Sequence, residues 1–163
     1  MIVFSRIDDK LVHGQVATTW IRVAGANRIY VVDDITAKDE FITRLFKGIS
    51  PQGTKLEVWD LETGCSKVKL VEEHKQIKGF ILCKSPLEFL AMAKAGVNFK
   101  ELCVGNMAPR DDRKQLQPGF NSFANRAERE AYRELVKMGV NVYLNLIPDK
   151  AKIPILECSG MKE

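Results

Sequence analysis

Residues 79–96 read GFILCKSPLEFLAMAKAG, and this run decides the fold. Gly79-Phe80-Ile81-Leu82-Cys83 is apolar at consecutive positions, the pattern of a strand covered on both faces of a parallel sheet. Just beyond it Ser85 offers an N-cap, Pro86 suits the first helical turn, and Glu88 stands at capping-box spacing. Gly96 then ends the helix. A buried strand feeding a capped helix is the repeating unit of an α/β fold.

The same unit recurs on both sides. Strand-like runs fall at Ile2-Val3-Phe4, Arg28–Val32, Leu56–Trp59, Glu101–Val104 and Val140–Leu144. After His13, the residues Val16, Ala17, Trp20, Ile21 and Ala24 share one helical face, with Gly25 as C-terminal cap. Thr36 and Asp39 stand at capping-box spacing ahead of Ile42, Leu45, Phe46 and Ile49, although glutamate is the usual third-position residue. Asn125 and Glu128 repeat the pattern before Ala131, Leu135 and Met138, with Gly139 closing. The stretch from Ala108 to Phe123 lacks helical periodicity. It is predicted to be an excursion with short strands at Lys114–Leu116 and Gly119–Asn121. The prediction is α/β: one domain over residues 1–163, with an open, mostly parallel, doubly wound sheet of about six to seven strands and helices on both faces. Residues 149–163 form a weakly patterned tail, left open between packing and fraying.

Composition narrows the function. The chain has 163 residues, 45% hydrophobic and 28% charged, as a globular domain with a sizeable core requires. Its 25 Lys and Arg against 21 Asp and Glu leave a net charge of +4. That suits phosphorylated or acidic partners and falls short of a nucleic-acid binder. With 2 histidines, a poly-histidine metal site is excluded. The cysteines Cys65, Cys83, Cys103 and Cys158 form no CxxC pair, which argues against zinc and for a reducing compartment. No run approaches a membrane span and the N-terminus does not read as a signal peptide, so a cytoplasmic protein is expected.

The site candidate follows the first strand: Arg6-Ile7-Asp8-Asp9-Lys10-Leu11-Val12-His13-Gly14-Gln15. In an open parallel sheet, ligands bind beyond the carboxyl ends of the strands, where this loop must lie. His13 sits at a helix N-terminus, where backbone N–H groups and the helix dipole favour an anion. Gly14 lets the backbone approach closely, and Arg6 and Lys10 bring positive charge. An imidazole so placed is equipped to hold a phosphoryl group, and nearby cations favour the neutral ring that attacks. Asp8 or Asp9 could fix its tautomer or tether the cations; the sequence leaves both open. By itself a histidine near a helix start is more often a cap or surface residue, and an Asp-Asp pair is commonly turn chemistry.

Longer motifs tip that balance. RIDDKLVHGQVATTW from Arg6, VVDD at 31–34, KDEF at 38–41, KSPLEFL at 84–90, LCVGNM at 102–107 and RKQL at 113–116 occur in this order. The chain resembles, from Ile2 to about Pro148, the IIB component of the mannose/fructose/sorbose family of the bacterial phosphoenolpyruvate-dependent sugar phosphotransferase system. The resemblance implies that His13 accepts a phosphoryl group on Nδ1 from a IIA protein or domain. The group then passes to a sugar imported through the membrane components IIC and IID, which hold the protein at the inner face of the membrane. It implies that Arg6, Lys10 and Gly14 stabilise the phosphoryl group, with Lys10 where the family commonly has arginine. A lysine brings a point charge without a bidentate fork. No cofactor, metal or nucleic acid is expected, and homo-oligomerisation is left open. Asp8, Asp9, Gln15, Asp33, Asp34, Lys84, Ser85 and Asn106 are supporting candidates, with capping and turn roles as rivals for several. A rim of Lys10, Arg6 and Arg110 or Arg113 is expected to face an acidic partner. His74 is read as solvated surface. The rival readings are a non-catalytic anion- or nucleotide-binding module and a magnesium site built from Asp8, Asp9 and Asp33.

Overall fold

The computed structural model describes residues 1–14 and 16–162. The strands are β1 (Ile2–Ile7), β2 (Arg28–Val32), β3 (Lys55–Trp59), β4 (Gly79–Cys83), β5 (Glu101–Val104), β6 (Lys114–Gln115), β7 (Phe123–Ala124), β8 (Asn141–Leu144) and β9 (Ile153–Pro154). The α-helices are α1 (Ile21–Ala24), α2 (Asp34–Ala37), α3 (Glu40–Ile49), α4 (Leu61–Glu72), α5 (Pro86–Lys94) and α6 (Arg126–Lys137). A π-helical turn, Val16–Trp20, leads directly into α1.

Seven strands form one sheet in the order β3-β2-β4-β1-β5-β8-β9. Every pairing is parallel except that of β9 with β8. One face buries Ile7, Tyr30, Ile81, Leu102 and Val142 beneath Val68 of α4, Phe89 of α5 and Tyr132 of α6. The other buries Phe4, Ile29, Phe80 and Leu82 beneath Trp20, Ile21 of α1 and Phe46 of α3. The chain therefore leaves β1 towards one face and leaves its neighbours β4 and β5 towards the other. This divergence opens a crevice at the carboxyl end of β1.

The six strands read from the sequence are all present, and α5 begins as predicted. Ser85 Oγ accepts the Leu87 N–H at 3.2 Å and donates to Glu88 Oε2 at 2.5 Å. Gly25 takes the left-handed cap at φ 66°. Three expectations need correction. The cap of α3 is Asp39, which accepts the Ile42 N–H, whereas Thr36 lies within α2. The second short strand falls at Phe123–Ala124, because Gly119 at φ 85° belongs to the turn joining β6 to β7. His74 is exposed as expected, in the turn after α4 instead of on a helix.

The tail packs. β9 extends the sheet, and Ile155, Cys158 and Met161 are buried against the core. Among the described residues, no helix is long and apolar enough to cross a membrane.

Candidate active site

Asp8 leaves the end of β1 fully buried, its N–H donating to the Cys83 carbonyl of β4. The chain then turns: Leu11 N–H returns to the Asp8 carbonyl at 3.0 Å, and Asp8 Oδ1 accepts the Lys10 N–H at 3.1 Å. This is the turn chemistry an aspartate favours. Leu11 takes a left-handed φ of 57°, uncommon for a residue with a Cβ, and its side chain is buried in the core on the α1 side. The turn thereby swings His13 back over Asp8. Nε2 of His13 lies 3.1 Å from Asp8 Oδ1, with the histidine side chain 28% exposed. Nε2 is buried and makes no well-directed hydrogen bond, so the contact is a close approach at an oblique angle. Gly14 is already helical and exposed.

Beneath this pair lies Arg6, only 1% exposed. Its Nη2 is 4.0 Å from Asp8 Oδ2, and its Nη1 donates at 2.9 Å to both Cys103 Sγ and the Asn145 carbonyl. The guanidinium also stacks 4.2 Å from the centroid of the Trp20 ring. Burial pushes the Cys103 thiol up to about 11 despite the opposing charge and hydrogen bond of Arg6. The thiol therefore keeps its proton and donates weakly to Asn145 O. Arg6 is thus a buried strut beneath the loop, not part of an exposed positive rim.

Other candidates divide into two groups. Asn106 joins the centre: its Nδ2 lies 3.4 Å from Asp8 Oδ2, and its carbonyl accepts the Asp9 N–H. Asp9 turns away from the histidine and accepts the Ala108 N–H at 2.8 Å. Lys10 is exposed on the turn. On the neighbouring strand ends Asp33 and Lys84 pair at 3.2 Å. Burial pushes the Asp33 carboxyl up, but the two hydrogen bonds from Thr36 and the bond and charge of Lys84 outweigh it and hold the group below its ordinary range. Asp33 caps α2, Asp34 accepts the Leu61 N–H at the start of α4, and Ser85 caps α5. Gln15 lies outside the described residues. Asp8, Asp9 and Asp33 thus spend their carboxylates on separate partners. Among the described residues no three His, Cys, Asp or Glu side chains gather as metal ligands.

The rim also needs correction. Arg110 is exposed, but Arg113 is withdrawn into a buried pair with Glu128 at 2.9 Å and also donates to the Ala108 carbonyl. Glu128, read from the sequence as the capping partner of Asn125, is buried in this pair.

The sequence model described as "PTS system sorbose subfamily IIB component" matches residues 2–163. The chain belongs to this family. IIB components are phosphoryl carriers in sugar transport and act as phosphotransferases alongside IIA, IIC and IID. The sorbose-specific EIIB component of Klebsiella pneumoniae is 34% identical over 96% of this chain and 93% of its own length. The crystal structure of that IIB domain superposes with a TM-score of 0.86 over 96% of this chain and 94% of the other. The N-acetylgalactosamine-specific IIB component 1 of Escherichia coli, also a crystal structure, is 27% identical with a TM-score of 0.85, covering 94% and 98% of the two chains. The mannose-specific EIIAB component of Escherichia coli is 27% identical over 96% of this chain, which spans 48% of that longer protein.

Gly105, which with Asn106 and Met107 forms a strand-end candidate in the sequence, follows β5, and a Cβ there would come within 2.7 Å of both Arg6 Cζ and the Ile7 carbonyl oxygen. One residue had escaped the sequence reading: Asn145, fully enclosed after β8, supplies a carbonyl to Arg6. It stands at a strand end on the carboxyl edge of the sheet, as Asn106 does, and that position was its one signal in the sequence.

Proposed function

We propose that His13 carries the phosphoryl group through Nδ1, accepting it from a phosphohistidine of IIA and passing it to a sugar imported through IIC and IID. The observation that carries this reading is the 3.1 Å approach of Asp8 to Nε2. With the ring proton held on Nε2, the lone pair of a neutral imidazole resides on Nδ1, which makes Nδ1 the nucleophile. In the first step the P–Nδ1 bond forms as the donor's P–N bond breaks. In the second a sugar hydroxyl attacks phosphorus as the P–Nδ1 bond breaks; the hydroxyl proton passes to solvent, the bonding pair returns to Nδ1, and His13 is released neutral. Transfer of this kind asks the protein for position and charge, with Lys10 and the backbone around Gly14 as the groups for the phosphoryl oxygens. The burial of Arg6 supports a positioning part for it, exerted through Asp8.

The exposed loop end suits a cytoplasmic partner, with docking to IIC and IID bringing the protein to the inner membrane face. The test is phosphoryl transfer from a reconstituted phosphoenolpyruvate-driven relay. The wild-type chain takes up an acid-labile phosphoryl group at His13, and His13→Gln, folded by circular dichroism, takes up none. Labelling retained in that variant would remove His13 from the role. Reversible phosphate binding without covalent label in the wild type would favour a plain anion-binding module.

A further inference from the structure

Helix α3 does not bury the face that its sequence marks as apolar. The pattern assigns Ile42, Leu45, Phe46 and Ile49 to one core-facing stripe, yet only Phe46 is buried and Ile42 is half-buried. Phe41, Leu45 and Ile49 are instead 70%, 47% and 43% exposed. Their i, i+4, i+8 spacing aligns them as a row along the outer surface. Single exposed apolar side chains are ordinary, but a contiguous row marks an interaction surface.

Beside the row, on the flank away from Phe46, lies Gly48. A Cβ there would touch nothing within 4 Å, so no packing within this chain calls for a glycine. Glycine inside a helix is destabilising relative to alanine. Its use is explained if something approaches the helix closely at that point.

We propose that α3 is a self-association face: two copies pair their α3 helices antiparallel across a two-fold axis, with Phe41 of each copy seated on Gly48 of the other. The occupant is argued from self-complementarity. Matching Phe41 with Gly48 sets the axis between Arg44 and Leu45, so the two Leu45 side chains meet. The same register sets Glu40 of each copy level with Ile49 of the other and about 3 Å along the axis from the level of its Lys47, on the matching flank. One surface thus offers the ring, its seat and both signs of charge, as an isologous contact requires. A single helix this short covers less than the roughly 800 Å² per partner of a standard stable interface, so the dimer is weak, with a dissociation constant on the order of 100 µM. It leaves the His13 loop uncovered. α3 follows β2 and packs towards the sheet edge at β3, and β2 and β4 separate β3 from β1, a span of roughly 15 Å at ordinary strand spacing.

Sedimentation equilibrium of the intact chain between about 5 µM and 1 mM tests the proposal. A monomer–dimer equilibrium is expected, with Phe41→Asp raising the dissociation constant about tenfold or more. Gly48→Gln separates interface from fold: it is expected to raise the unfolding midpoint of the dilute monomer by about 2–4 °C while weakening the dimer. A dimer indifferent to both substitutions overturns the proposal, and so does a monomer throughout that range. A monomer in which Phe41→Asp slows phosphoryl uptake from IIA overturns it too, and assigns the row to the transfer partner.

Discussion

Asp8 ties together a turn, a buried cation and the histidine ring. It accepts the Lys10 N–H, faces Arg6 and Asn106, and approaches His13 Nε2. Its replacement therefore separates position from mere presence. Asp8→Asn is expected to slow phosphoryl transfer by about 100-fold or more, because an amide no longer favours the Nε2-protonated tautomer. Rate measurements with ¹⁵N chemical shifts of the His13 ring check this; an unchanged tautomer and rate would dismiss Asp8 as a positioning residue. Gly105 acts one step further back. Gly105→Ala drives a methyl group into the Arg6 guanidinium and the Ile7 carbonyl. The expected loss is about 1–3 kcal/mol of stability in denaturant titration, with slower transfer as Arg6 shifts.

At the scale of elements, helix starts hold the carboxyl edge of the sheet in place. Asp33 caps α2 through Thr36 and reaches across to Lys84 beyond β4, fastening two strand ends together. Its folded-state pKa lies below its value in the unfolded chain, so this stabilisation is fully present above the ordinary 3.8 and is lost as pH falls through the folded value. Asp33→Asn is expected to flatten the acid limb of the stability–pH curve below that point while leaving neutral-pH stability lower by about 1 kcal/mol. Thermal unfolding across that range measures it; an unchanged acid limb would mean that other carboxylates govern the acid response. Capping was legible in the sequence where a capping-box acid stands three residues on, as at Ser85 with Glu88 and Asn125 with Glu128. It failed at Thr36, because Asp33 and Asp39 offered better acceptors for two separate helices.

The whole molecule depends on its weakly patterned end. β9 covers the edge of β8, and Gly160 fits against Leu116 so closely that a Cβ would lie 2.6 Å from the Leu116 Cα. Ile155 and Met161 are buried there. Burial of such side chains contributes about 1.5–3 kcal/mol each at most. Removing residues 153–163 is therefore expected to lower the unfolding midpoint by about 10 °C or more, read by calorimetry. A truncated chain as stable as the full one would reduce the segment to a passive cover.

The sequence by itself determined the alternation of strand and helix, the positions of six strands along the chain and the loop that bears His13. Those features rest on local periodicity, capping and motif, which neighbouring residues encode directly. Only the tertiary structure decided which aspartate lies against the histidine, that Arg6 lies beneath that pair and Arg113 away from it, and that Leu45 and Ile49 face outward. Each of these depends on where distant segments meet. Asn145 and Cys103 reach Arg6 only because β8, β5 and β1 lie side by side, and no spacing along the chain records that adjacency.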